Sequence, residues 1–238
     1  MRLNEPKSQT LIPFDAGSQL GDEIASYLRD LIMSGQLHGH EYIRLDRVAN
    51  HLGVSATPVR EALRSLRSEG FVTLEPRRGF LVVPLTESDV RDLFLAQATL
   101  SGELAARAAA LIDKSTLKRL REIQSSLRKA AERGDLDTIE LENYHFHREI
   151  NLLAASPKLA WLLNMVARYS PRRFYASIEG WPQASIEDHE TIIEALSARD
   201  AKGSMAAMSS HIVHAGNLLA NFLGNQDNHD SRPHPFQS

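Results

Sequence analysis

The run from Ser55 to Gly70 limits what this chain can fold into more than any other stretch. Val59, Ala62, Leu63 and Leu66 recur at i, i+3, i+4 and i+7, which stacks them on one side of an α-helix and leaves Arg60, Arg64 and Arg67 on the other. Ser55 and Thr57 are available as N-caps, and Pro58 falls in the first turn, where a missing N–H costs nothing; Gly70 follows the end. The stretch reads as a short amphipathic helix with a cationic outer face. Alone it would be a surface helix with solvated arginines, and its neighbours change that reading.

Upstream, Leu20, Ile24, Leu28, Leu31 and Ile32 form a helical stripe that Gly35 closes. A second helix is predicted from about Leu45 to Leu52, with Val48 and Ala49 on its apolar side and Gly53 at the turn. The residues from Gly53 to Thr57 have the length of a helix-turn-helix connection, which makes the opening stretch the second, recognition helix. Downstream, Phe71–Glu75 and Phe80–Pro84 are β-rich runs separated by Pro76-Arg77-Arg78-Gly79, the pattern of a hairpin with a basic turn. Three helices ending in a basic hairpin make a winged helix-turn-helix.

Such a unit binds double-stranded DNA for plain physical reasons. A helix in the major groove presents side chains to base edges, and flanking arginines and helix N-terminal amides hold phosphates. Ser55, Thr57 and Arg60 are assigned to the DNA-facing first turns, Arg64 to groove or phosphate, Arg77 and Arg78 to the wing tip, and Gly79 to the turn itself. Arg67, farther along the helix, is equally well explained as solvated. The formal net charge of −3 confines nucleic-acid contact to one local patch. The absence of cysteine excludes disulfides and thiolate metal sites. No apolar stretch of signal-peptide or membrane length occurs, so a cytoplasmic protein without membrane association is expected.

The run Leu52-Gly53-Val54-Ser55-x-Thr57-Pro58-Val59-Arg60-Glu61-Ala62-Leu63-x-x-Leu66-x-x-Glu69-Gly70, followed by Pro76-x-x-Gly79, resembles the DNA-binding domain of GntR-family bacterial transcription regulators. The resemblance covers about residues 20–84. It differs from the family pattern at Ala56, where the family usually has Arg, and at Leu45-Asp46-Arg47, where the family has a glutamate-containing stretch. Ala56 removes one base-reading side chain, which implies an operator unlike the usual one.

After the joint at Pro84-Leu85, Thr86-Glu87-Ser88-Asp89 is a capping box, and helical patterns run from there to about Leu223. Breaks near Asp113, Gly134, Ser156-Pro157, Gly180 to Ser185 and Arg199-Asp200 divide this region into about six helices, an antiparallel bundle. The predicted fold is therefore mainly α: an N-terminal winged helix-turn-helix with a small β-hairpin wing and a C-terminal all-α bundle. The expected organisation is a mobile arm at 1–16, the DNA-binding domain at 17–84, an effector-binding and dimerisation bundle at 85–224, and a disordered tail at 225–238.

The chemistry of the bundle lies in its histidines. Asn143 and His147 share a helix face that Ile150 continues; His189 precedes Ile192, Ile193 and Leu196 on their stripe; His211 lies between Met208 and Ala215 on the apolar side of the last helix. A lone histidine on such a stripe is usually a hydrogen-bonded core residue. Three from three helices, with an Asn/His pair, favour a divalent metal site of the kind imidazole offers zinc, nickel, copper or iron. His145 and His214 fall on polar faces and are not assigned as ligands.

Asn143-x-x-Phe146-His147, His189 and Met208-x-x-His211-Ile212 are similar to the metal-binding FCD domain that accompanies the FadR subgroup of GntR regulators. That resemblance implies a divalent metal, zinc or nickel, with open positions for a small organic acid effector, and places Asn143 where members carry Asp. It also places Gln97 and Ser101 where members often carry Arg and Glu. Gln97 is then an effector-side residue without a charge. Arg168, Arg172 and Arg173 are either the cations that meet the effector carboxylate or a solvated cluster ending a helix.

The function expected is a ligand-responsive transcription regulator that binds a pseudo-palindromic operator as a homodimer, because a lone winged helix contacts too few base pairs for useful specificity. The alternative is a metal-dependent enzyme with an appended DNA-binding head, in which a three-histidine metal activates water. That alternative lacks a general base: Asp188 and Glu190 flank His189 without an evident reason to face inward.

Overall fold

A computed structural model describes residues 20–169, 175–226 and Phe236. The chain forms two compact units; the main division in sequence falls between Pro84 and Leu85, with Met33–Gly35 grouped with the second unit and Phe236 with the first. The arm expected at 1–16, together with Arg172 and Arg173, lies outside the described residues. Of the expected tail, Asn225 and Gln226 extend the last helix, and Phe236 is buried in the first unit with its ring edge-on to His51, centroids 5.3 Å apart.

The first unit begins with α1 (Leu20–Met33), followed by β1 (Tyr42–Ile43), α2 (Leu45–Leu52), α3 (Ala56–Ser68), β2 (Val72–Glu75) and β3 (Gly79–Val82). Val59, Ala62, Leu63 and Leu66 of α3 are fully buried with Ile24, Leu28 and Val48. Each buried Leu or Val contributes about 1.5–3 kcal/mol relative to exposure, so this apolar stripe sets how α3 is seated. Gly53 closes α2 in the left-handed region at φ 66°, where a side chain would be strained. The Arg29 guanidinium reaches across to Glu69 at 2.6 Å and lies over the Phe71 ring, tying α1 to the end of α3.

The wing is a three-stranded antiparallel sheet in the order β1-β3-β2, with Glu75 opposite Gly79 and Tyr42 opposite Leu81. The hairpin was expected, and β1 was not. Two residues show no periodicity, and Tyr42-Ile43 becomes a strand only because β3 supplies its partners. The turn also differs in one respect: Arg77 adopts φ 68° alongside Gly79 at φ 107°, so two residues rather than one bend the chain there.

The second unit holds α4 (Glu87–Leu111), α5 (Lys114–Arg133), α6 (Leu136–Leu153), α7 (Pro157–Val166), α8 (Trp181–Ser197) and α9 (Ala201–Gln226), with short 3-10 turns at Ala167–Tyr169 and Tyr175–Ser177. Thr86 and Asp89 form the reciprocal capping box expected of the α4 start. Leu104, Leu120, Phe146, Ile150, Ile193 and Leu196 meet in a common core. Long α4 and α9 pack closely: a methyl carbon on Gly102 would collide with the Ser209 hydroxyl and stand 3.0 Å from the Met205 carbonyl oxygen. Among the described residues no helix is long and apolar enough to cross a membrane.

Candidate functional site

The fold sets two groups of side chains apart for chemistry. The first is the outer face of α3. Its buried stripe forces Thr57, Arg60 and Arg64, spaced by three and four residues, onto one exposed side. Ser55 holds the N-cap position with its hydroxyl making no cap bond, so it stands with the first amides of α3 at the helix N-terminus. On the wing Arg77 and Arg78 are both exposed. Arg78 donates to the Tyr42 hydroxyl at 3.4 Å, and Tyr42 in turn donates to Glu75 at 2.6 Å, which anchors the base of the wing tip.

The second group lies inside the bundle, where α6, α8 and α9 bring His147, His189 and His211 together with one nitrogen of each within 4.8 Å of the others. His189 is fully buried and stacks flat on Phe146, ring centroids 3.8 Å apart. His211 is 3% exposed, and its Nε2 lies 3.2 Å from Nε2 of His147. Asn143, one turn before His147, accepts from the Ser185 hydroxyl at 3.4 Å, and Ser185 lies one turn before His189. Two side-chain pairs with i, i+4 spacing therefore face each other across α6 and α8.

The tautomers follow from the partners. Gln124 donates its amide N–H to the Ile186 carbonyl at 2.8 Å, which turns its oxygen toward His189 at 3.1 Å. Nδ1 of His189 must then carry the proton, and its Nε2 presents a lone pair that is buried without a hydrogen-bond partner. Nδ1 of His211 donates to Asp188 at 3.2 Å, so in the neutral ring Nε2 is the lone pair and faces His147. Burial first, and the neighbouring His211 second, lower His147 to about 3; burial, then His211 and His147, hold His189 well below its ordinary value. Neutral imidazole is the form that binds metal.

The donor set could hold a divalent cation. Nitrogens 2.0–2.1 Å from a tetrahedral ion lie roughly 3.3 Å apart, close to the 3.2 Å between His147 and His211. The orphaned lone pair of His189 is costly to bury unless something binds it.

The effector-side residues fare differently. Gln97 is buried on α4 beside buried Ser101, whereas Arg168 is exposed in the 3-10 turn after α7. Two contributors were missed or set aside at the level of sequence. Gln124 interrupts the buried stripe Leu120, Gln124, Leu127 of α5, and a polar residue on an apolar stripe is the signal that marks it. Asp188 does face the cluster, through His211, and its same oxygen accepts from Nδ1 of His214 at 3.1 Å. Burial raises the Asp188 carboxyl, but the hydrogen bonds and charges of His211 and His214 outweigh it and hold the group below its ordinary range. Glu190 is turned away to Arg128 at 2.7 Å.

A winged helix with a basic recognition face, followed by an all-helical domain with an inward histidine set, is the architecture of a DNA-binding regulator. The chain matches the model of bacterial regulatory proteins of the gntR family over residues 20–82 and the FCD domain model over residues 92–214. It therefore belongs to the GntR family of transcription regulators, in the group that carries an FCD domain. It is 30% identical over 169 residues, 69% of this chain and 73% of the relative, to the HTH-type transcriptional repressor RspR of Escherichia coli. It is 26% identical to the repressor GlaR of the same organism, over 79% of this chain and 90% of the relative. Among solved structures, E. coli McbR/YncC superposes with a TM-score of 0.67 at 23% identity, covering 88% of this chain and 99% of that one, a likeness of fold.

Proposed function

We propose that this regulator responds to a small organic acid bound at a divalent metal in the bundle and reads a pseudo-palindromic operator as a homodimer. The observation that carries the reading is the His189 Nε2 lone pair, buried without a partner beside the facing nitrogens of His147 and His211. His147, His189 and His211 hold the metal, zinc or nickel, and Asn143 offers an amide oxygen from the same face of α6. When bound, the metal would supply a positive charge that attracts an anionic effector. Gln97 lines the effector side, with Arg168, Arg172 or Arg173 as the cation that meets its carboxylate.

On DNA, Ser55, Thr57, Arg60 and Arg64 enter the major groove, while Arg77 and Arg78 of the wing, whose bend includes Gly79, hold the adjacent backbone. The effector changes operator affinity only as far as it binds one arrangement of the dimer more tightly than another.

Two measurements test the reading together. Elemental analysis of full-length protein purified without chelator should find about one metal per chain, absent from a His147→Ala, His189→Ala double variant. Operator fragments from flanking intergenic DNA should be bound with salt-sensitive, sequence-specific affinity. No metal, or no sequence preference, sinks the corresponding half.

A further inference from the structure

The resemblance to the metal-binding domains of the family breaks at Asn143, a neutral amide where a carboxylate is expected. A dication held by three neutral imidazoles and an amide would have no negative charge among its protein ligands. Metal-bound histidines commonly donate their second nitrogen to a carboxylate, which fixes the ring and increases its basicity. Asp188 stands in that relation to the cluster. Its Oδ2 accepts from Nδ1 of His211 at 3.2 Å, on the ring edge opposite the Nε2 that faces His147. It sits on α8 next to His189, so one helix supplies both a cluster histidine and the carboxylate that orients another. His214, one turn after His211 on α9, donates to that same oxygen at 3.1 Å and pins the carboxylate from the solvent side.

Resting on the reading of a metal centre above, we propose that Asp188 is a positioning residue of that centre. It holds His211 with Nε2 toward the metal and supplies, one bond removed, the negative charge that Asn143 does not. The charge is displaced from the direct ligand shell to the shell behind it. Asp188 does not touch the metal. Its role is to make His211 a stronger and better-aimed donor, and to leave the position that a ligand carboxylate would fill to an uncharged group.

The test uses the full chain and zinc alone as probe. Zinc affinity is measured by competition with a chromophoric chelator at fixed pH for wild type, D188N, and the double variant N143D/D188N. D188N keeps the shape of the side chain and should bind zinc about 10–100-fold more weakly. The double variant, with the charge returned directly to the ligand shell, should recover at least tenfold. An affinity of D188N within twofold of wild type overturns the proposal, and failure of the double variant to recover overturns the assignment of charge to Asp188. Nitrogen-15 spectra of the histidine rings in metal-free wild type give a second readout that needs no variant to fold. His211 should be protonated at Nδ1, and protonation at Nε2 alone overturns the positioning role. If wild-type protein binds no zinc, nickel or other divalent ion, the metal centre itself fails, an outcome distinct from equal binding by wild type and D188N.

Discussion

Gln124 and His189 form a buried hydrogen-bonded pair, Oε1 to Nδ1 at 3.1 Å, in which the glutamine is oriented by its own bond to the Ile186 carbonyl. Replacing Gln124 with Leu leaves Nδ1–H of His189 buried without an acceptor, at a cost of about 1–3 kcal/mol in the metal-free protein. The ring is then free to take the other tautomer, so metal affinity should fall by about 10–100-fold. Urea unfolding and chelator competition on the same preparation separate the two effects. Wild-type metal affinity in Q124L would show that the tautomer is set by something else.

Arg60 and Arg78 should report differently on DNA. Arg60→Ala removes a side chain from the groove face of α3 and should cost roughly 1–3 kcal/mol with relaxed selectivity at one base position. Arg78→Ala, at the wing, should weaken all sequences alike and lower the salt slope by about 1. Fluorescence anisotropy with an operator and its single-base variants across a salt series distinguishes them. A uniform loss for Arg60→Ala reassigns it to phosphate.

Acid should destabilise the metal-free protein through the histidine cluster. His147 is lowered to about 3 in the fold, and His189 is held well below its ordinary value, while in the unfolded chain both titrate near ~6.5. Below ~6.5 the unfolded state binds more protons, so stability is full above that value and is lost progressively as pH falls toward the folded value of His147. Urea midpoints between pH 7.5 and 5 should decline in wild type and decline less steeply in His147→Gln. Parallel slopes would show that these rings do not carry the effect.

Glu69→Ala should destabilise the first unit. It leaves the Arg29 guanidinium, whose side chain is 10% exposed, without its carboxylate at the junction of α1 and α3. Removing one partner of a buried ion pair costs about 3–5 kcal/mol, and the slight exposure here places the expectation near the lower end. Operator affinity at low temperature should change far less than the melting temperature, because Glu69 lies behind the DNA face. Unchanged melting would mean that Arg29 finds another acceptor.

The boundaries of α2 and α3, the capping box of α4 and the breaks near Asp113, Gly134, Ser156-Pro157 and Arg199-Asp200 were readable in the sequence because each rests on local terms. These are apolar spacing on a 3.6-residue period, glycine at left-handed positions and side-chain oxygens at N-caps. The break expected from Gly180 to Ser185 was misplaced: α7 already ends at Val166, and α8 begins at Trp181 and runs through that stretch. The strand at Tyr42-Ile43 was not readable, since two residues have no period and its hydrogen bonds come from Leu81 and Phe80. Gln124 and Asp188 escaped for the same reason. Their partners lie 65 and 23 residues away, and nothing local shows which way a polar side chain on a helix will turn.

The sequence by itself determined the recognition helix, its basic face, the family and the three histidines, because patterns within one helix or one motif encode all of these. Only the tertiary structure decided that the three imidazoles converge, which nitrogen of His189 and His211 faces the cluster, and that a carboxylate stands behind His211. Convergence and tautomer depend on how α5, α6, α8 and α9 are packed. That packing is set by the whole core and is written in no single helix.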